Sequence, residues 1–321
     1  VSPVSALTHG TDVVIPAAVR GGGFGGSVWT TALYITNPGS HELTVTVAWL
    51  IRGQANPQPM EVTVTVAAGA TEVFADAPLE LFALSDGAGA FRVRADQPLV
   101  VTSAILNLAG GSEYGQGFEG VPLAEAVTID EVSRIAGVKA TPSHRTNIYL
   151  IDAWGLGSKV TLTAVDPPGA VLGQKTYDLG VHMPVLEPLS SLGVTQATDV
   201  TILVSVEEGA VIAGASRINS SSGDPLTLAA SHGPGAGGVT LCAPKEIAGL
   251  KVRVRLPHSD ADDEVFDIDI TSETTAVIDD GHSEIDATFT YIPFGSGARF
   301  VAEIPGFNLA NIRATALCET S

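Results

Sequence analysis

The sequence predicts an all-β chain of tandem antiparallel β-sandwich domains: two homologous repeats followed by a third β-domain. Three observations carry this. The apolar residues are mostly Val, Ala, Leu and Ile interleaved with Thr, which suits pleated, half-buried strands. Apolar and polar side chains alternate with a period of two in stretch after stretch. A third sign is that "WTTALYITN" (29–37) returns as "HRTNIYLID" (144–152).

The strands read clearly. "LTVTVAWLI" (43–51), "EVTVTVA" (61–67), "KVTLTAV" (159–165) and "KVRVRL" (251–256) each place one face on a core and the other in water. Turn chemistry separates them, in "NPGS", "GQANPQP", "VDPPGA" and "SSSGDP". Two short segments, "PLELFALSD" (78–86) and "EPLSSLGV" (187–194), read as helical turns at matching places. Closely spaced strands without intervening helices favour antiparallel sandwiches or barrels.

The repetition extends beyond one motif. Thr31 and Tyr34 match Thr146 and Tyr149. "VTVAWL" (45–50) aligns with "VTLTAV" (160–165), "FADAPLELFAL" (74–84) with "VLEPLSSLGV" (185–194), and "PLVVTSAILN" (98–107) with "VIAGASRIN" (211–219). The offset stays at about 112–115 residues from Trp29/His144 to Asn107/Asn219. Three segments follow: 1–125, 126–237 and, after the Gly-rich "ASHGPGAGG" (230–238), 238–321. Strands are expected in the third near 238–242, 250–256, 264–272, 274–279, 285–292, 298–304 and 309–318.

Cys242 and Cys318 lie at the two ends of the third segment. A disulfide between them would close a loop of about 77 residues, worth on the order of 4 kcal/mol in the entropic model. The other reading is two buried free thiols, because Cys also serves as a small core residue.

Residues 12–230 resemble the tandem Ig-like modules of secreted bacterial surface proteins. The residues concerned are Ile15-Pro16-Ala17-Ala18, Trp29-Thr30-Thr31, Asn37-Pro38, "PLVVTS" (98–103) and "GDPLTLAA" (223–230). The second copy departs from the pattern, with His144 in place of the tryptophan and Asp152-Ala153 in place of Asn-Pro. The resemblance implies an Ig-like sandwich and an extracellular setting. It brings no catalytic residues.

Composition points the same way. Charged residues are only 16% of the chain and the net charge is −19. So acidic a surface repels phosphate backbones and anionic headgroups, which disfavours nucleic acid and membrane as partners. No apolar run approaches the roughly 18 residues of a membrane span. No charged-then-apolar leader appears, so Val1 reads as the start of a mature or trimmed chain.

Catalytic signatures are sparse. There is no G-x-S-x-G elbow, and the seven histidines show no H-E-x-x-H spacing. "GGGFGGS" (21–27) formally contains G-x-G-x-x-G, yet it leads into a strand where a dinucleotide fingerprint needs a helix. Asp260, Asp262, Asp263 and Glu264, with Asp279, Asp280 and Glu284, could supply oxygen ligands for Ca²⁺. The simpler reading, and the one preferred, is two solvated acidic turns, and no other cofactor is expected. Asn219-Ser220-Ser221 fits the glycosylation acceptor pattern. Trp49 sits in an alternating strand as a core residue, and Trp154 is the candidate for an exposed one.

The functional expectation is a non-enzymatic extracellular structural protein, a fibre subunit or adhesive stalk assembling through strand edges. Its partners would be further copies, other surface proteins or glycans. The alternative is a glycan- or protein-binding accessory module of a larger secreted enzyme. The stretch before the first strong strand offers Val1, Val4, Leu7, Val13 and Ile15 as an assembly arm for a neighbour's sheet. It can equally fold back as strand one of its own domain. Mass spectrometry of a non-reduced digest is expected to recover the peptides of Cys242 and Cys318 linked; two alkylatable thiols in fresh protein would exclude the bond.

Overall fold

The computed structural model describes residues 9–22, 26, 28–109, 112–129 and 132–231. It also describes the backbone of five strands between 251 and 303, while the side chains of 109–114 are left aside. The chain divides into two compact units, Val1–His232 and Gly233–Ser321. It is predominantly β, and every strand pairing is antiparallel.

The first half of the first unit contains β1 (His9–Gly22), β2 (Val28–Thr36), β3 (Leu43–Ile51), β4 (Met60–Val66) and β5 (Thr71–Phe74). After helix α1 (Ala77–Phe82) come β6 (Gly87–Ala109) and β7 (Ser112–Glu119). Two short bridging strands follow, β8 (Val121–Pro122) and β9 (Val127–Thr128). The second half holds β10 (Val132–Ala140), β11 (His144–Asp152), β12 (Ser158–Val165) and β13 (Val171–Leu179). It ends with β14 (Pro184–Pro188), β15 (Ala197–Glu208), β16 (Ala210–Asn219) and β17 (Pro225–Ala229).

Pairing follows one order in both halves. In the first, the beginning of β6 lies between β1 and β3, with β4 beyond, and its end lies between β2 and β7, with β5 beyond. In the second, the sheets run β10-β15-β12-β13 and β14-β11-β16-β17. The 23-residue β6 thus covers the path that β15 and β16 share. Gly209, at φ 75°, breaks that path in the second half. Both first strands carry a register shift at the same place, between Ile15 and Ala18 and between Ile135 and Val138. Thr31 Oγ1 donates to Val19 O and accepts from Val19 N; Thr146 Oγ1 does the same with Lys139. The expected helical turns are α1 and a 3-10 turn at Leu189–Leu192.

Each half encloses a core. Val13, Ile15, Leu33, Val47, Trp49 and Phe91 lie in the first, where Trp49 meets Phe91 edge-on with centroids 5.2 Å apart. Ile135, Ile148, Leu150, Leu162, Ile202 and Val204 lie in the second. Val13 and Ile15 are therefore removed from any assembly arm. They are 0% exposed, and β1 pairs with β6 of its own chain. Val1, Val4 and Leu7 lie outside the described residues.

Several strands lose their alternation because both of their faces are covered. In β11, Ile148 and Leu150 enter the second core while Tyr149 joins the first and Ile151 joins a third cluster. That third cluster is the contact between the halves. Val14, Leu50 and Ala90 come from β1, β3 and β6, and they meet Ile151, Ala210 and Ile212 from β11 and β16. Gly214 makes room for it, because a Cβ there would stand 2.0 Å from the Tyr149 hydroxyl.

The described strands of the second unit form one sheet in sequence order, β18 (Lys251–Leu256), β19 (Glu264–Ile270), β20 (Thr275–Asp279), β21 (Glu284–Phe294) and β22 (Gly297–Glu303). These are five of the strands expected there. The outermost two, near 238–242 and 309–318, lie outside the described residues, as do Cys242 and Cys318.

Leu50 is 0% exposed within the contact between the halves. Leu50→Ala is expected to lower unfolding free energy by about 2–4 kcal/mol in urea titration. Met60→Ala, at a position 43% exposed, should stay within about 0.5 kcal/mol.

Candidate functional site

Among the described residues a group of ionisable side chains, Asp12, Arg92, Asp152 and His182, flanks the apolar contact between the halves. It is built from the ends of strands. Asp152 ends β11 and is 1% exposed. Its Oδ1 accepts from Ser158 Oγ at 2.5 Å, and its Oδ2 accepts from the backbone N–H of His182 at 2.8 Å. The corresponding residue after β2 is Asn37, equally buried, whose amide donates to the carbonyls of His41, Val66 and Ala67. Each position ties a strand end to its neighbouring loops. In the second half the aspartate does so through acceptors alone and therefore needs donors around it.

Both donors come from the second half, and His182 is in turn held from the first. Arg92 on β6 forks onto Asp12 of β1, with Nε to Oδ1 at 2.9 Å and Nη2 to Oδ2 at 2.5 Å. Its Nη1 donates to His182 Nε2 at 2.5 Å. A guanidinium only donates, so Nε2 must accept and His182 is neutral, with its proton on Nδ1. That Nδ1–H points to the carbonyl of Asp152 at 3.4 Å. Gly155, at φ 71°, lets the ring lie close, since a Cβ there would be 2.4 Å from His182 Nε2.

A second seam runs beside it. Asn56, 5% exposed, donates to the carbonyls of Ile51, Gln54 and His182. Backbone bonds Asn56 N–H to Val181 O (2.6 Å) and Gly53 N–H to Pro184 O (2.8 Å) join the same loops. Elsewhere along the contact, Gln116 of β7 accepts from Ser216 and donates to Thr227.

Ser158, His182 and Asp152 are the residue types of a hydrolytic triad, and their geometry does another job. A nucleophilic serine needs its Oγ on the histidine and the histidine on the aspartate. Here Ser158 Oγ donates to Asp152, and also lies 2.9 Å from the carbonyl of Ala210. His182 Nε2 faces Arg92. The serine is 6% exposed. The arrangement joins the two halves.

The other sequence candidates are placed as follows. Trp49 is buried, as expected. Trp154 is half-buried and packs against the contact cluster, so it is not the exposed ring its turn suggested. Trp29 is half-buried and lines an open cleft of about 470 Å³ with Arg20, Arg52, Ile51 and Asp86. The Gly-rich stretch leads from β1 into β2, without a helix behind it. Asn219 accepts from the backbone N–H groups of Ser221 and Ser222, closing a turn. Asp260, Asp262, Asp263 and Asp280 lie outside the described residues; Asp279 and Glu284 face each other in register across β20 and β21. Among the described residues no three His, Cys, Asp or Glu side chains converge as a metal site.

No protein-family model matches the chain, and no curated protein matches it. A solved structure from Thermotoga maritima, titled "Crystal Structure of Thermotoga maritima 1070", is similar over 35% of this chain and 92% of its own. The identity is 15% and the TM-score 0.29, a likeness too slight to carry an assignment.

Sequence reasoning passed over Arg92, Asp12 and Asn56, and His182 stood out only as one of seven histidines. The usable signal was Asp152-Ala153 in place of Asn-Pro, which puts a carboxylate where an amide served before.

Burial lowers the His182 pKa from its usual 6.5, and the charge of Arg92 adds to this; Asp152 and Asp12 oppose it. With the folded value below the unfolded one, the unfolded chain binds the extra proton. The stabilisation is therefore complete above pH 6.5 and declines as pH falls through that value towards the folded pKa. Urea midpoints measured from pH 7.5 to 5 should fall on acidification, and His182→Gln should flatten that dependence. Midpoints that rise on acidification would contradict the assigned tautomer.

Proposed function

We propose that the chain is a non-enzymatic extracellular structural protein, a subunit of a surface fibre or an adhesive stalk. On this reading residues 1–125 and 126–237 are two homologous Ig-like repeats, and 238–321 is a third β-domain closed by Cys242 and Cys318. The matched pairing orders, the shared register shift and the twin roles of Thr31 and Thr146 support the duplication.

The observation that carries the functional reading is the set of open strand edges. Among the described residues β4 pairs only with β3, and β13 only with β12. The start of β13 exposes Val171 (63%) and Leu172 (39%). An unpaired edge offers its free backbone groups to another chain, at about 0.5–1.5 kcal/mol net per hydrogen bond. A protein of this acidity keeps its long-range repulsion and associates where charge is locally sparse.

A second reading, a glycan- or protein-binding module, draws on the cleft beside Trp29, where Arg52 and Asp86 are both exposed. One tryptophan is a small platform for a sugar, so this reading comes second.

Sedimentation velocity over a concentration series tests the edge. The wild-type chain is expected to self-associate, and the double variant Val171→Lys, Leu172→Lys to dissociate with unchanged thermal unfolding. A wild-type chain that stays monomeric throughout would remove the assembly reading.

A further inference from the structure

The contact between the two halves joins unlike faces. The outer face of β1, β3 and the start of β6 in the first half covers the outer face of β11 and β16 in the second. Because both halves share one pairing order, each of these faces has a counterpart that the internal contact leaves over. The counterpart of the covered β11–β16 face is the outer face of β2 and the end of β6. The counterpart of the covering face is the outer face of β10, β15 and β12.

The β2–β6 face is unusual for a chain of net charge −19. Register pairs place Val28 beside Leu108, Tyr34 between Val73 and Thr102, and Ala32 beside Ala104 on one side of the sheet. Val28, Val73 and Leu108 are 44%, 54% and 45% exposed. The remaining positions are threonine, alanine, valine, leucine and glycine. Among those whose side chains are described, only Glu119, paired with Thr102, carries a charge. Tyr34 occupies the place of Tyr149, which in the second half is 4% exposed beneath the first.

The β10–β15–β12 face has the complementary character. Arg134 pairs with Leu203, Leu203 with Thr163, and Thr201 with Val165, all on the side away from the core. At its far end Glu207 is paired with Lys159. The exposed Arg134 guanidinium meets only the carbonyl of Val132 among the described residues. Superposing the internal contact puts Arg134 in the role of Val14, because both stand one residue before the isoleucine at the register shift. Val14 packs with Ile151 and Ile212, whose counterparts are Thr36 and Val100. Glu119 lies one strand over and one pair along, within reach of an arginine side chain.

We infer that these two faces dock on each other between copies of this chain, head to tail, repeating the contact already made inside it. The occupant of the β2–β6 face is the β10–β15–β12 face of a second copy. A four-stranded face about nine residues long covers roughly 20 by 30 Å. Docking therefore buries on the order of 1,000–1,200 Å² in total, at the threshold for a specific, reversible contact. The interface is heterologous, so the association does not close at two and continues into a filament or ring. The inference rests on reading the chain as an assembling protein, and it adds a sheet-face contact that assembly needs besides the open edges.

The experiment uses full-length chain and two charge variants, Tyr34→Glu to block one face and Leu203→Glu to block the other. Thr102→Glu and Thr163→Glu serve as replacements if either fails to fold by circular dichroism. In sedimentation velocity the wild type should form a concentration-dependent series beyond the dimer, and each variant alone should be monomeric. Mixed, they should form a one-to-one dimer and nothing larger, because each retains the face that the other has lost. Face-blocked variants that associate like wild type would overturn the face contact while leaving edge-mediated assembly standing. A Leu203→Glu variant that still dimerises alone would show a symmetric β2–β6 contact and overturn the head-to-tail order. Wild type that remains monomeric would overturn both this inference and the assembly reading.

Discussion

The first unit depends on one contact, the packing of the face of β1, β3 and β6 on that of β11 and β16. Without it Val14, Leu50, Ile151 and Ile212 would be apolar side chains on two solvated sheets. With it these five strands are covered on parts of both faces, and the two halves become a single compact unit. Hydrophobic burial supplies the drive. The seams around it supply direction, because Arg92, His182, Asn56 and Gln116 satisfy their partners in one registration of the halves.

The contact also explains why Ser158, His182 and Asp152 are not arranged as a triad. Burying Asp152 obliges the fold to surround it with donors. Ser158 and the His182 N–H provide them, and Arg92 holds the imidazole neutral from the other side. A serine committed to a carboxylate and a histidine committed to a guanidinium leave no general base for a nucleophile. The burial of His182 beside Arg92 is what makes the contact sensitive to pH near the range where histidine titrates.

Strand edges and sheet faces are two routes by which a β-protein can meet a neighbour. In this chain the edges carry lysine and glutamate alongside their exposed apolar residues, as in Lys175 and Glu61. Such charges hinder pairing with another edge. The β2–β6 face lacks them across most of its width, so the charge-poor surface of an acidic molecule lies on a face and not on an edge.

Much of the fold was legible in the sequence, and the reason is local. Alternation in "LTVTVAWLI" and "KVTLTAV", turn residues between them and two helical turns depend on nearest neighbours, and each fell where expected. Trp49 in an alternating strand could be read as core for the same reason. What alternation cannot show is what stands on the outer face of a strand. The run Tyr149–Asp152 is buried throughout because the first half covers it, and Trp154 is half-buried at the margin of that contact. Val13 and Ile15 could have served a neighbour's sheet or their own; only pairing with β6 assigned them to their own core. Arg92, Asp12, His182 and Asp152 are far apart in the chain, and no spacing rule joins them. Periodicity records how a strand meets its own sheet, whereas the meeting of one sheet with another belongs to the tertiary structure alone.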